Sequence, residues 1–231
     1  MKHRSARERC FCSLSLWWDN DKITGNCEIY ASGSVDIGCD GKEVTGLEDS
    51  KIIALFDERS EQALAELDRK YGAAVRKTAA NILGDRRDTE ECVNDTYLAA
   101  WNSIPPQRPD PLISYVCRIA RNLALKKYRC NTAGKRKGSY DLILDELAEC
   151  IPAQGDVESD YTAKEISAAI SRFLDTLRYE DRFCFVRRYW YADPIPDLAA
   201  AMHRKPHQIS VRLFRTREKL HRYLKEEGLL E

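Results

Sequence analysis

The sequence has no long apolar run and lacks the common catalytic motifs. Nowhere in its 231 residues does an apolar stretch approach the roughly eighteen residues that a membrane span needs. The start of the chain is basic and polar, and no apolar core of an export signal follows it. A P-loop, an HExxH motif, a GxGxxG motif and a Ser-His-Asp set are also missing. We therefore expect a cytoplasmic protein without membrane insertion, enzymatic activity, catalytic residues or a cofactor.

Net charge is absent as well, because 37 basic residues balance 37 acidic ones. The balance hides a separation of charge along the chain. Residues 85–101 are rich in acids, and residues 112–129, which follow a proline-rich break, contain basic residues and no acid. The first segment suits a basic protein partner, and the second suits a polyanion.

The nine cysteines do not form a recognisable metal site. Four of them, Cys10, Cys12, Cys27 and Cys39, lie in the first 46 residues, and the other five are scattered. Structural zinc sites favour cysteine pairs separated by about two to four residues, whereas CFC has one residue between its cysteines. A metal module built from these cysteines and His3 is an alternative, but we predict no metal. Scattered cysteines without an export signal indicate reduced thiols.

Changes in pattern divide the chain into four segments. Residues 1–46 lack a sustained periodicity, residues 47–130 are helical, residues 131–163 form a linker, and residues 164–231 are helical again. The patch from Leu142 to Leu147 inside the linker can form a short helix. Outside the first segment, nothing requires a strand. We predict an all-α fold in which two small helical domains are joined by a flexible linker.

The first helical domain carries the charge separation on two successive helices. Asp88, Glu91 and Asp95 are spaced by three and four residues and share one face. On the next helix we predict a buried stripe and an exposed polar stripe that suits phosphate contact and base stacking. The buried stripe is Leu112, Val116, Ile119 and Leu123, and the exposed stripe is Tyr115, Arg118, Asn122, Lys126 and Arg129. The alternative is that both charged faces are simply solvated.

The second helical domain contains a helix-turn-helix pattern. MHRK has the length of its turn, and Pro206 restarts the chain at a first helical position. Ile209, Leu213 and Leu220 are predicted to point inward. The exposed start of this helix can enter the DNA major groove, where Gln and Arg read base edges. The outward residues are His207, Gln208, Ser210, Val211, Arg212 and Arg215, with Arg217 extending the basic side towards phosphates.

The order of these parts resembles a bacterial RNA polymerase sigma factor of the small, extracytoplasmic-function (ECF) type. The resemblance covers about residues 49–225. LGDRRDTEECVNDTYLAAW is similar to the family segment that binds the polymerase core. PLISYVCRIARNLALKKYR is similar to the segment that opens and reads the promoter −10 element. IPDLAAAMHRKPHQISVRLFRTREKL resembles the helix-turn-helix that reads the −35 element.

The resemblance implies a sigma factor that binds the RNA polymerase core and directs promoter recognition, −10 strand opening and transcription initiation. The residues 47–130 would be sigma region 2 and the residues 164–231 sigma region 4, with promoter DNA and an anti-sigma factor as further partners. Together with the residues above, it gives three predicted sites. The core-binding site is Asp85, Asp88, Glu91 and Asp95. The −10 site is Tyr115, Arg118, Arg121, Asn122, Lys126 and Arg129. The −35 site is His207, Gln208, Ser210, Val211, Arg212, Arg215 and Arg217.

The sequence departs from the family pattern in the turn. His203 stands where Gly is frequent, Arg204 replaces an apolar residue and Lys205 replaces a usual Ser cap. His tolerates a positive φ better than β-branched residues do, and Pro206 partly offsets the missing cap. Lys126 and Lys127 also occupy a stretch where the family often has an acid. These departures bear on the −35 sequence preference rather than on the fold.

A second class of protein also fits the helix-turn-helix. This is a DNA-binding transcriptional regulator that acts on duplex DNA without core polymerase. Such a protein needs a dimer interface to match a symmetric site, and no strong one is visible in the sequence.

The first 46 residues are interpreted as a non-native or disordered extension. Lys42-Glu43-Val44-Thr45 can be back-translated as AAG GAG GTG ACN, which reproduces a bacterial ribosome-binding site, and a TTG codon at Leu47 can serve as a start. The family resemblance begins near the same point. We hypothesise that residues 1–46 are an upstream region that is not translated in the cell.

This hypothesis predicts the peptides of the native protein. Mass spectrometry of the protein purified from its own cells should find no peptide from Ser13 to Lys22. Peptides from residues 51–69 serve as the control for recovery. An intact peptide from Ser13 to Lys22 would refute the hypothesis.

Overall fold

The computed structural model describes residues 47–132, 139–148, 150 and 159–230. All regular secondary structure within these ranges is helical, as the predicted all-α fold class requires. The described residues divide into two compact units, one over residues 47–132 and the other over the described residues from 139 onwards. The predicted extension over residues 1–46 lies outside the described residues. In the part of the chain that the structure describes, no helix is both long and apolar enough to cross a membrane.

The described part of the N-terminal unit is a cluster of helices around one core. Its helices are α1 (Asp49–Asp57), α2 (Gln62–Leu83), α3 (Arg86–Ser103) and α4 (Leu112–Thr132). Helices α2, α3 and α4 pack against one another, and α1 packs against α2. The core contains apolar side chains from all four helices, including Phe56, Leu67, Val75, Val93 and Val116.

A Gly-Asp pair separates α2 from α3. Gly84 ends α2 in the left-handed conformation with a φ of 68°, which glycine adopts without a Cβ clash. Asp85 is the N-cap of α3, and its carboxylate accepts a hydrogen bond from the backbone N–H of Asp88 at 2.9 Å. A single pair of residues therefore ends one helix and begins the next.

The buried stripe of α4 is rotated relative to the predicted one. Ile119 and Leu123, which were predicted to be buried, are only half-buried, and Ala120 and Ala124 lie in the core instead. Because these alanines are small, α3 can come close to α4. The close approach is seen in the Cys92 thiol, which donates to the Ala120 carbonyl at 3.5 Å. Leu112 and Val116 are buried as predicted, and Leu125 is buried with them. Since α4 contacts both α2 and α3, its buried face is wider than one stripe.

Asp49, the first residue of α1, joins three helices. Its carboxylate accepts hydrogen bonds from Lys70 Nζ at 2.7 Å, from the Tyr71 hydroxyl at 2.6 Å and from the backbone N–H of Leu112 at 3.3 Å. Burial, together with the hydrogen bond to Asp49, raises the pKa of Tyr71, so its hydroxyl remains a donor. Lys70 also donates to the backbone carbonyl of Leu47 at 2.7 Å. This cluster fixes the start of α1 to the start of α4.

The described part of the C-terminal unit is also helical. Its helices are α5 (Ser139–Ala148), α6 (Ser159–Thr176), α7 (Tyr179–Tyr189), α8 (Ile195–Ala201) and α9 (Pro206–Glu226). Helix α9 packs against α6, α7 and α8, and α7 also contacts α5 and α8. Ile209, Leu213 and Leu220 are buried, as predicted for the inward face of α9.

Helix α5 lies within the segment that was predicted to be a linker. It contains the short helical patch expected from Leu142 to Leu147, and it packs on α7. Tyr140, Ile143, Leu144 and Leu147 are buried at spacings of three and four residues, which is the pattern of a helix with one apolar face. Helix α5 is therefore a packed element of the C-terminal unit. The neighbouring linker residues 133–138, 149 and 151–158 lie outside the described residues.

The residues MHRK connect α8 to α9. His203 adopts a φ of 52°, so the position where glycine is frequent in the resembling family does require the left-handed region. Pro206 is the first residue of α9, where its missing N–H is no loss.

None of the five described cysteines forms a disulfide. Cys92, Cys117, Cys150 and Cys184 are buried, and Cys130 is exposed. Burial raises the pKa of Cys92 to about 11 and that of Cys184 to about 12, so both remain protonated at neutral pH. The four cysteines before residue 46 lie outside the described residues.

The Asp49 cluster predicts a local loss of stability. Asp49→Ala should lower the opening free energy of the N-terminal unit by about 1–3 kcal/mol, because three donors lose their acceptor. Amide hydrogen exchange in residues 49–83 should then be faster by roughly one to two orders of magnitude.

Glu48→Ala is the matched control for this change. Its carboxylate makes only an exposed ion pair with Lys51 at 3.6 Å, so the opening free energy should change by less than about 0.5 kcal/mol. Equal exchange in the two variants would contradict the assigned role of Asp49.

Candidate protein and nucleic-acid interfaces

The four acids predicted to bind polymerase lie along the first half of α3. Asp85 is exposed and caps the helix, and Asp88 is half-buried in its first turn, where the helix dipole favours an acid. Glu91 and Asp95 are exposed on the following turns. The structure therefore brings Asp88, Glu91 and Asp95 together as one acidic strip, while Asp85 also serves the fold.

Helix α4 already contacts this acidic strip. Lys127 Nζ lies 3.1 Å from Asp88 Oδ1 and 2.6 Å from Glu91 Oε2, and Asn131 donates to Asp88 Oδ2 at 2.6 Å. Hydrogen bonding to Glu91 raises the pKa of Lys127 despite partial burial, and Asp88 adds to the effect. The Glu91 side chain is still 60% exposed. The strip thus keeps accessible carboxylate oxygens, but Asp88 is largely occupied within the unit.

Four of the residues predicted for the −10 site lie at the surface of α4. Asn122, Lys126 and Arg129 are exposed, and Arg118 is half-exposed. The Arg118 guanidinium lies 5.4 Å from the centre of the Tyr115 ring, within the range of a cation–π contact. The four residues form a face of cations with one amide, which suits backbone phosphates.

Two other residues of the predicted −10 site are buried, so the predicted exposure of Tyr115 was wrong. Tyr115 is 8% exposed and Arg121 is 0% exposed. Because α4 packs on both α2 and α3, it buries a wide face, and the rotation of its stripe onto Ala120 and Ala124 brings Tyr115 and Arg121 inside. In this conformation neither side chain can contact DNA, and both support the core.

In the C-terminal unit, five of the seven residues predicted for the −35 site line one groove. The groove has a volume of about 410 Å³ and its lining includes His207, Gln208, Val211, Arg212 and Arg215. Lys219 extends the basic lining, and Asp181 of α7 contributes an acid. The exposed start of α9 and a mainly basic groove therefore coincide, as the helix-turn-helix pattern predicts.

Ser210 and Arg217 do not share this groove. Arg217 is two residues from both Arg215 and Lys219. Because two residues turn about 200° around a helix, Arg217 lies on the side of α9 opposite to these two groove residues. It is 13% exposed, and its Nη1 atom lies 2.7 Å from the Tyr189 hydroxyl and 3.4 Å from Glu146 Oε2. Burial opposes its charge, yet the Tyr189 and Glu146 oxygens raise the pKa of Arg217. The prediction that Arg217 faces phosphates was therefore wrong, because its position faces α5 and α7.

The groove residues Arg212 and Gln208 also have partners within the unit. Arg212 is 29% exposed and pairs through Nη2 with Glu180 at 2.7 Å and through Nη1 with Asp181 at 2.6 Å. Gln208 accepts the backbone N–H of Lys205 at 3.1 Å through Oε1. Gln208 thus supplies the cap that Lys205 cannot, which is half of a capping box.

Three acids that matter for these contacts were not found from the sequence. Glu180 and Asp181 stand in the first turn of α7, and Glu146 lies on α5 in the presumed linker. Their partners are 31 to 71 residues away, so no local spacing could indicate them. The one available signal was the pair of acids at the start of a helix, which the helix dipole explains equally well.

Known proteins resemble parts of this chain in sequence. Residues 67–133 match the family model described as sigma-70 region 2. The chain is also 25% identical over 177 residues to the "ECF RNA polymerase sigma factor SigE" of Mycolicibacterium smegmatis. Residues 67–133 thus resemble sigma-70 region 2, and the chain is similar to sigma factors of the ECF type. The match covers 74% of this chain and 66% of the length of SigE.

A solved structure is similar to this chain at lower sequence identity. "Structure of CnrH in complex with the cytosolic domain of CnrY" is 22% identical with a TM-score of 0.37, and the match covers 77% of this chain and 97% of that one. The region 2 match begins within α2 and continues through α3 and α4. It therefore includes both the acidic strip and the cationic face of this chain.

The burial of Arg121 predicts a structural rather than a binding defect. Arg121→Ala should lower the stability of the N-terminal unit by about 2 kcal/mol or more, because it removes a large, fully buried side chain. Lys126→Ala, on the exposed face of the same helix, should change it by less than about 0.5 kcal/mol. Both stability changes can be measured by urea denaturation of the full chain, with amide hydrogen exchange in residues 112–132 as the readout. Equal stabilities would contradict the burial of Arg121.

Proposed function

We propose that this chain binds the core of RNA polymerase and directs it to promoters for transcription initiation. The observation that carries the proposal is the match to sigma-70 region 2 over residues 67–133. Within that range, α3 presents carboxylates and α4 presents cations. The ECF relative supports the same assignment.

The acidic strip of α3 is the proposed polymerase contact. Glu91 and Asp95 are its exposed members, so they are available to a basic partner surface. Charge complementarity of this kind accelerates encounter and selects the partner. Asp88 contributes chiefly by holding Lys127 and Asn131.

The surface of α4 is the proposed contact for the −10 element. Arg118, Lys126 and Arg129 supply positive charge along one face, and Asn122 supplies an amide. Cations of this kind hold the backbone of a displaced strand, while capture of an unstacked base drives strand opening. With Tyr115 buried, the base-capturing group is not part of the predicted exposed stripe.

The groove of α9 is the proposed contact for the −35 element. Its lining residues His207, Gln208, Val211 and Arg215 lie at the start of a helix that follows a tight turn. Once the polymerase holds both units, the second DNA contact forms at a high effective concentration. The chain alone is therefore expected to bind DNA weakly.

Other expectations of the class are proposed with this function. The chain acts by binding rather than by enzymatic chemistry, and it works in the cytoplasm, where the polymerase and the chromosome are. An anti-sigma factor is a further proposed partner, which would compete for the polymerase-binding or DNA-binding surfaces.

The polymerase contact can be tested with a charge-reversed variant. Glu91→Lys combined with Asp95→Lys should weaken binding to purified core polymerase at least about tenfold, because two attractive contacts become repulsive. Run-off transcription from a genomic library with the same core should fall in parallel. Asp88 is left unchanged because it supports the fold.

Glu58→Lys combined with Glu61→Lys is the matched control. It makes the same change in net charge at exposed acids of the same unit, outside the acidic strip. This control should bind polymerase like the parent chain. Equal binding by the two double variants would reject the acidic strip as the contact. Absence of library transcription with the parent chain would reject the sigma-factor function.

A further inference from the structure

Two acids of α7 stand at the edge of the groove that is proposed to receive DNA. Asp181 is part of the groove lining, and Glu180 precedes it in the first turn of α7. A carboxylate on a DNA-binding surface repels phosphates, so its presence in an otherwise basic groove requires an explanation.

Both acids are engaged by the same arginine. Arg212 uses Nη1 for Asp181 at 2.6 Å and Nη2 for Glu180 at 2.7 Å. Burial works against the charge of Arg212, but the Asp181 hydrogen bond and the two negative charges raise its pKa. Hydrogen bonds between charged groups in a half-buried setting are strong ones. The pair of contacts therefore fixes the position of the guanidinium.

This arrangement changes what Arg212 can do with DNA. Bidentate reading of guanine needs two guanidinium N–H groups directed at the base edge. Here both terminal nitrogens are directed at carboxylates, and the two negative charges exceed the single positive charge of Arg212. Arg215, exposed on the same groove, does not share these carboxylates. The two arginines are thus unequal, although the sequence presents them alike.

We propose that Glu180 and Asp181 are specificity-determining residues that withhold Arg212 from DNA and suppress sequence-independent binding. The inference rests on the proposed function, because it takes the α9 groove as the DNA contact. Arg215 then carries the cationic contact of the groove. Acids that lower non-specific affinity raise the ratio of promoter to bulk DNA binding, which is the quantity that matters on a chromosome.

The test is the salt dependence of binding to a mixed-sequence duplex by the full chain. For Glu180→Gln combined with Asp181→Asn, affinity should rise about threefold to tenfold, and the slope of log K against log salt should steepen by about one contact. Adding Arg212→Gln to this variant should remove the gain. Unchanged or weaker binding by the double variant would overturn the proposal.

Single arginine variants test the same point without touching the acids. Arg212→Gln in the parent chain should leave the salt slope nearly unchanged, because Arg212 makes no phosphate contact, whereas Arg215→Gln should flatten the slope by about one contact. Equal flattening of the slope in the two variants would overturn the proposal. This comparison remains decisive if the variant lacking both acids fails to fold.

Glu227→Gln controls for loss of a paired acid elsewhere. Glu227 pairs with Arg172 at 2.6 Å and is not part of the groove, so its neutralisation should not change the salt slope. Transcription with core polymerase, measured on the same preparations, separates the two proposals. Active transcription with unaltered slopes rejects only the role of the acids. The expected slopes without any transcription reject only the sigma-factor function.

Discussion

The close packing of α4 against both α2 and α3 is the constraint on which the N-terminal unit depends. It is possible because Ala120 and Ala124 occupy the crowded side of α4, so that a thiol of α3 reaches the α4 backbone. This packing decides which polar residues of α4 remain outside. The cationic face is the part of the α4 surface that α2 and α3 do not cover. It is narrower than the exposed stripe predicted from the sequence.

A second theme is that many cations of this chain have acidic partners within their own unit. Lys127 is held by Asp88 and Glu91, Arg212 by Glu180 and Asp181, and Arg217 by Glu146. Arg212 and Arg217 were predicted DNA contacts by sequence. Internal pairing lowers the field that the free chain presents to DNA, which agrees with a protein that binds DNA well only as part of a larger assembly.

The sequence predicted the elements better than it predicted the surfaces. The turn at MHRK, the start of α9 at Pro206 and the inward positions Ile209, Leu213 and Leu220 all follow from local chemistry, namely proline, turn length and helical spacing. Tyr115, Arg121 and Arg217 were misplaced because exposure depends on how many neighbours a helix has. Periodicity identifies an apolar stripe but not its width, and it cannot reveal partners such as Glu146 that are distant in the chain.

The contact between Lys70 and Leu47 is made through the backbone of Leu47. Lys70 Nζ bonds to the backbone carbonyl of Leu47, and no part of the Leu47 side chain takes part in that bond. Because every residue type offers the same carbonyl, this bond places no demand on the side chain at position 47. The position can therefore change in sequence while the link between Lys70 and the backbone before α1 is kept.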